Sequence, residues 1–193
     1  MTTIVTILTE GFADWETALL NAAAHSFYKA ETLYATPGGT PVTSSGGLRV
    51  TPSLALEGID LDALDALVVC GGTIWQCPEA PDLTGILKAA HAKGKVVGAI
   101  CDATVAAART GLLDGIDHTS NGAGHLDGTG YRGKAHYRDV AHAVSSQKVV
   151  TAPGTAPVSF MAEVLRAIGL GDANLDFYVG MLAAEHTRAA KAA

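Results

Sequence analysis

The stretch Lys95-Val-Val-Gly-Ala-Ile-Cys-Asp-Ala-Thr-Val-Ala-Ala-Ala-Arg109 constrains the fold more tightly than any other part of the chain. Val96 and Val97 are β-branched and suit a buried strand. Ala103 to Arg109 is Ala-rich and favours helix. Cys101 falls where strand must become helix. Its neighbours two positions away, Ala99 and Ala103, are both small. Small-x-Cys-x-small at a strand-to-helix turn is the pattern of a nucleophile elbow. The sulfur would lie over the first N–H groups of the helix, whose partial positive charge favours thiolate over thiol. A buried structural cysteine fits the same position, because free cysteine is among the most buried residue types.

The rest of the chain alternates apolar strands with helical segments. Ile4 to Leu8, Thr32 to Ala35, Ala66 to Cys70, Val96 to Ile100 and Lys148 to Thr151 read as strands. Trp15 to Tyr28 reads as a helix with Asp14 as its N-cap. Further helices are expected from Pro81 and Asp82 to Ala92, from the elbow to Gly111, from Val158 to Ile168 and from Leu175 to Ala190, with a frayed Ala-Lys-Ala-Ala tail. Val42-Thr43 and Leu48-Arg-Val50 flank Ser45-Gly46-Gly47, the signature of a hairpin. Residues 117 to 143 carry many glycines and histidines without periodicity and read as loops with short strands. Strand-helix alternation at these intervals predicts an α/β fold, with a parallel sheet covered on both faces. No internal repeat or linker interrupts it, so residues 1–193 are expected to form a single domain.

Net charge is −6, from 13 Lys and Arg against 19 Asp and Glu. A nucleic-acid or anionic membrane surface needs clustered cations, so neither partner is expected. No apolar run reaches membrane-spanning length, and the N-terminus lacks the basic-then-apolar pattern of a signal peptide. The cysteines, Cys70, Cys77 and Cys101, are odd in number and have no metal-ligand spacing. A reducing cytoplasm with free thiols is the matching expectation, with no metal and no cofactor. The histidines of the irregular region have no carboxylate or cysteine at ligand spacing.

Several motifs together resemble one family. Thr9-Glu-Gly-Phe-Ala-Asp-Trp-Glu-Thr17, Val69-Cys-Gly-Gly-Thr73 and Val97-Gly-Ala-Ile-Cys-Asp-Ala-Thr104 look like the ThiJ/PfpI superfamily. This class I glutamine amidotransferase-like group includes the parkinsonism-associated protein deglycase. Gly111-Leu-Leu-Asp-Gly115 and Val150-Thr-Ala-Pro-Gly-Thr-Ala-Pro157 fit it too, and the motifs span the chain in the family's order. The resemblance implies a flavodoxin-like sandwich, mostly parallel, with the nucleophile elbow at Cys101. It implies that Glu16 is the acid beside that cysteine, and that Gly71 and Gly72 offer backbone N–H groups to an oxyanion. It also implies a homodimer.

A carboxyl beside a thiolate is repelled by it, so Glu16 would keep its proton and share it with sulfur. An acidic residue in the first turn of a helix is also favoured by the dipole alone. His118 falls where the family often places a histidine and could act as proton shuttle. A structural histidine fits equally well, and a one-residue slip in an extended segment would turn the side chain to the other face. Asp102 departs from the protease-like members, which carry His there. It could cap the elbow helix, contact substrate or oppose the thiolate. Cys70 reads as core, and Cys77 as a residue near the pocket mouth that could resolve an oxidised Cys101. Trp15 and Trp75 flank the site loops, and covering the core is favoured over walling the pocket.

The expected function is a cofactor-free cysteine enzyme acting on a small carbonyl or amide electrophile, as in glyoxalase- or deglycase-type members. Two alternatives stand beside it. One is a non-enzymatic, redox-sensing or chaperone-like stress protein, since an accessible thiolate oxidises readily. The other is a peptidase, which Asp102 disfavours.

Overall fold

A computed structural model describes residues 1–189; the expected frayed tail lies outside them. The central sheet has seven strands in the order β5-β2-β1-β6-β7-β9-β8. These are β1 (Thr3–Ile7), β2 (Glu31–Thr36), β5 (Leu54–Ala55), β6 (Ala66–Val69), β7 (Val96–Ile100), β8 (Val144–Ser146) and β9 (Val149–Ala152). All pair in parallel except β8, which runs antiparallel to β9 at one edge. A separate two-stranded hairpin pairs β3 (Val42–Thr43) with β4 (Arg49–Val50). The mostly parallel α/β architecture expected from the sequence is therefore the observed one, with two short strands added. β5 and β8 have two and three residues, too short to show a periodicity.

The sheet buries both faces, and its side chains alternate between them. Val5, Leu67, Val69, Val97 and Val149 point to one face, packed by α2 (Thr84–Ala92) and α3 (Ala103–Arg109). Ile4, Ala66, Val68, Val96 and Val150 point to the other, under α1 (Asp14–Tyr28) and α4 (Pro157–Ala167). α5 (Ala173–Ala189) packs on α4. Strands this apolar on both faces cannot sit at a solvated surface, which forces the three-layer arrangement. No helix among the described residues is long and apolar enough to cross a membrane.

Three local expectations are corrected. Asp14 is not the N-cap of α1 but its first residue, and Ala13 takes the cap position without a side-chain bond. The Asp14 carboxylate instead accepts the Ser44 hydroxyl, the Ser45 hydroxyl at 3.3 Å and the Gly46 N–H at 2.9 Å. It thus ties the hairpin turn to the start of α1. α2 begins at Thr84 rather than Pro81, because the Asp82 carboxylate accepts the Thr84 N–H at 2.8 Å and holds the preceding turn outside the helix. α5 begins at Ala173, two residues early, where Asp172 accepts the Leu175 N–H at 2.8 Å.

Gly98, in the middle of β7, shows how closely the elbow strand is packed. A Cβ there would lie 3.1 Å from Phe160 Cζ and 3.3 Å from Val68 Cγ2. Gly98→Val should therefore lower unfolding stability by about 1–3 kcal/mol through overpacking, while Gly98→Ala costs less. Chemical denaturation of both variants checks the order.

Candidate active site

β7 delivers Cys101 to the carboxyl edge of the sheet and α3 begins two residues later. The turn between them is strained: Cys101 has φ +60°, a left-handed conformation that non-glycine residues rarely adopt. The surroundings hold it there, with the Cys101 N–H bonded to Ala152 O at 2.9 Å and its carbonyl accepting the Thr104 N–H at 3.1 Å. The elbow expected from Ala99 and Ala103 is present, and the sulfur is half-buried.

Glu16, in the first turn of α1, is fully buried beside it. One oxygen, Oε2, accepts the Gly71 N–H at 2.7 Å. The other, Oε1, is buried with no nitrogen or oxygen partner among the described residues, and its neighbour is the Cys101 thiol. It lies close to the sulfur: one point, where a Cβ on Gly154 would fall, is 2.7 Å from Cys101 Sγ and 3.1 Å from Glu16 Oε1. Glycine is thus required at 154 to let the backbone pass over the sulfur. Gly71 has the same role on the other side, since a Cβ there would strike the Glu16 carboxyl and come within 2.7 Å of Cys101 Cβ.

Burial pushes the Glu16 carboxyl from its usual 4.5 up to about 7, and the charge of Asp102 adds to the rise. Burial also raises the Cys101 thiol, and the negative charges of Glu16 and Asp102 raise it further; the Asn121 amide opposes them. Each group resists ionisation of the other, so the pair releases its first proton far more readily than its second. The helix-end effect expected to favour thiolate is outweighed, because α3 has only seven residues and burial acts first.

Two further expectations are corrected by the local bonding. The Gly71 N–H is occupied by Glu16 and is not free for an oxyanion. The N–H groups of Gly72 and Asp102 have no bonding partner among the described residues and remain available. His118 is fully buried and both ring nitrogens are taken, Nδ1 by Ile116 O at 2.8 Å and Nε2 by the Tyr131 hydroxyl at 2.7 Å. It is a satisfied structural histidine with no ring nitrogen left for Cys101, and burial lowers its basicity.

Asn121 takes the third corner instead. Its Nδ2 lies 3.3 Å from Cys101 Sγ and 3.0 Å from Asp102 Oδ1, and its Oδ1 accepts the Gly154 N–H at 2.9 Å. Sequence reasoning passed over it because an asparagine in a glycine-rich loop reads as a turn residue. Asp102 occupies the N-cap position of α3, but its side chain makes no capping bond. It accepts Asn121 and stands 3.0 Å from His125 Nε2.

The remaining candidates divide cleanly. Cys70 is core: its thiol donates to Ala13 O at 3.4 Å, and burial pushes it up to about 12. Cys77 is half-buried and donates to Thr73 O at 3.5 Å. Trp75 is fully buried and donates to Cys70 O, so it belongs to the core as expected. Trp15 does not, being 55% exposed, with its indole N–H on Gly154 O at 3.1 Å. It pins the turn after β9 that crosses the sulfur. Among the described residues no three His, Cys, Asp or Glu side chains converge as a metal ion would require.

A parallel α/β sheet carrying an elbow cysteine beside a buried carboxyl defines a class of protein, and comparison with known proteins agrees. Residues 2–167 match the model of the DJ-1/PfpI family, and the chain belongs to that family. A DJ-1 superfamily protein from Agrobacterium tumefaciens is 45% identical, with a TM-score of 0.94 over 96% of this chain and 100% of that one. A thiJ/pfpI family protein from Bacillus anthracis is 29% identical, with a TM-score of 0.85 over 94% of this chain and 91% of its own. The Bacillus subtilis protein named uncharacterized protease YoaZ is 31% identical over 165 residues, 81% of this chain and 78% of its own length.

Because the folded state raises the Glu16 carboxyl above its usual value, it favours the protonated form. The stability this contributes is fully present below about pH 4.5 and is lost as pH rises through about 7. Glu16→Gln keeps an acceptor for Gly71 and removes the titration. Its stability relative to wild type should therefore improve between pH 4.5 and 8, by on the order of 3 kcal/mol. Denaturant titrations across that range test the slope.

Proposed function

We propose that the chain is a cysteine-dependent enzyme acting on a small, neutral carbonyl compound such as an α-oxoaldehyde. The observation that carries the reading is Glu16 Oε1, buried and turned to the thiol of a strained elbow cysteine rather than to any nitrogen or oxygen. The pair loses its first proton from Glu16, and transfer of the thiol proton onto that carboxylate gives the reactive form, with Glu16 protonated and the sulfur charged. The thiolate adds to the aldehyde carbon, forming a C–S bond while the carbonyl π pair moves to oxygen. The N–H groups of Gly72 and Asp102, free of protein partners among the described residues, would stabilise that oxygen, and Glu16 returns a proton to it. The resulting carboxylate removes the hydrogen on the same carbon as a proton, and the neighbouring carbonyl takes the electron pair as an enediolate. Glu16 returns that proton to the neighbouring carbon, and the hydroxyl proton of the first carbon passes to the second oxygen, leaving a thioester. Water releases the 2-hydroxy acid and restores the thiol. The sequence is redox-neutral, and atoms balance with one water.

The protease name of the Bacillus subtilis relative suggests amide hydrolysis instead. We favour the carbonyl reading because His118 is fully engaged and offers no imidazole to protonate a leaving amine, which leaves Glu16 as the proton carrier beside the sulfur. A redox-sensing role would use the same thiolate without turnover.

Methylglyoxal is the direct probe. Wild type should convert it to lactate, and Cys101→Ala should be slower by roughly a hundredfold or more. Equal rates in the two proteins overturn the enzyme reading. Selective oxidation of Cys101 by mild peroxide, with no turnover of any carbonyl, moves the assignment to a sensor.

A further inference from the structure

The site as described holds three groups that take negative charge, Glu16, Cys101 and Asp102, and Asp102 opposes ionisation of the other two. Glu16 faces the sulfur from α1 and Cys70 from the end of β6, while Asp102 and Asn121 flank it on the α3 side. None of these is a cation. One side chain that can become a cation touches the group: His125, from the loop after Asn121, brings Nε2 to 3.0 Å from Asp102 Oδ1. That nitrogen is buried and makes no hydrogen bond within the described residues. Charge, not hydrogen-bond geometry, links the two.

We propose that His125 is the histidine that serves this site, as a positioning residue that controls the charge on Cys101 through Asp102 and Asn121. The connection is continuous in space. His125 lies against Asp102 Oδ1, the same oxygen accepts Asn121 Nδ2 at 3.0 Å, and the same nitrogen reaches Cys101 Sγ at 3.3 Å. Protonated His125 offsets Asp102, so a negative sulfur meets less repulsion from the carboxylate that shares the Asn121 donor with it. Neutral His125 leaves Asp102 uncompensated. The Asn121 amide itself is fixed, because its oxygen accepts the Gly154 N–H. It passes on the charge state next door without exchanging a proton. The arrangement differs from a catalytic dyad in that the histidine never touches the sulfur and removes no proton from it.

The inference deepens the proposed cysteine chemistry, resting on it only for Cys101 as the reactive thiol. Its test needs no substrate. Iodoacetamide is neutral and reacts with thiolate, and mass spectrometry separates modification of Cys101 from that of Cys77. Asp102→Asn should speed Cys101 alkylation at pH 7 by on the order of tenfold, the worth of one nearby charge. His125→Gln should slow it several-fold at pH 6 and by less at pH 8.5, because imidazoles lose positive charge as pH rises. The double variant should match Asp102→Asn alone, because His125 acts only through Asp102. His125→Ala, read alongside folded-state melting curves, serves if the Gln variant is poorly folded. An equal effect of His125→Gln with and without Asp102 overturns the proposal, as does no effect at pH 6. Should methylglyoxal turnover fail while the alkylation pattern holds, the carbonyl reading falls and the control of Cys101 stands.

Discussion

The Gly71 N–H to Glu16 carboxyl bond, 2.7 Å long and fully buried, is the contact on which the rest of the site depends. Leaving a carboxyl in a dry interior is costly unless its oxygens are satisfied. Here one oxygen is tied to the end of β6 and the other is left facing sulfur. The bond fixes the carboxyl rotamer, and with it the distance over which a proton can be shared. It also explains why two strand ends carry glycine. Gly71 and Gly154 bracket the carboxyl and the sulfur so closely that a methyl group on either would occupy the space between them.

The second constraint is the elbow. A cysteine at φ +60° is strained by on the order of 1–3 kcal/mol, and it persists because β7 sits between β6 and β9 in the interior of the sheet. The Cys101 N–H continues the ladder to Ala152. Thus the apolar strands that make the fold also hold the one residue they would otherwise disfavour. The packing of Phe160 and Val68 around Gly98 continues the same anchoring deeper in the sheet.

How much of this the sequence discloses follows from how local each signal is. The strands and the elbow are readable because each is a continuous run: Val96 to Ala103 carries apolar residues, small residues and the cysteine within one turn of chain. Glu16 and Gly71 come through motif resemblance, and the structure gives Gly71 a different duty, holding the carboxyl. His118 and Asn121 show where the reading runs out. The two lie three positions apart in an extended segment, where odd separations put side chains on opposite faces. Once His118 turns inward to Ile116 and Tyr131, Asn121 turns toward Cys101. No periodicity in residues 117 to 143 fixes that parity, because the segment is set by loop contacts, such as the Thr119 N–H on Thr151 Oγ1 at 2.9 Å. Asp102 and His125 are 23 positions apart, and only the returning loop brings them together.

The charge balance that results bears on which electrophile suits the site. Glu16, Cys101 and Asp102 converge, and His125, 3.0 Å from Asp102, is the group among the described residues that could offset them when protonated. An anionic substrate would add a further negative charge to a buried cluster that already resists its second ionisation. A neutral carbonyl adds none until attack begins. The charge it then gains comes from the sulfur, so the total inside the site does not rise. The departing thiolate charge relieves Glu16 as the oxyanion forms. Addition to a neutral carbonyl is thus the step this cluster opposes least, and the same accounting disfavours chemistry that requires carboxyl and thiol to ionise together.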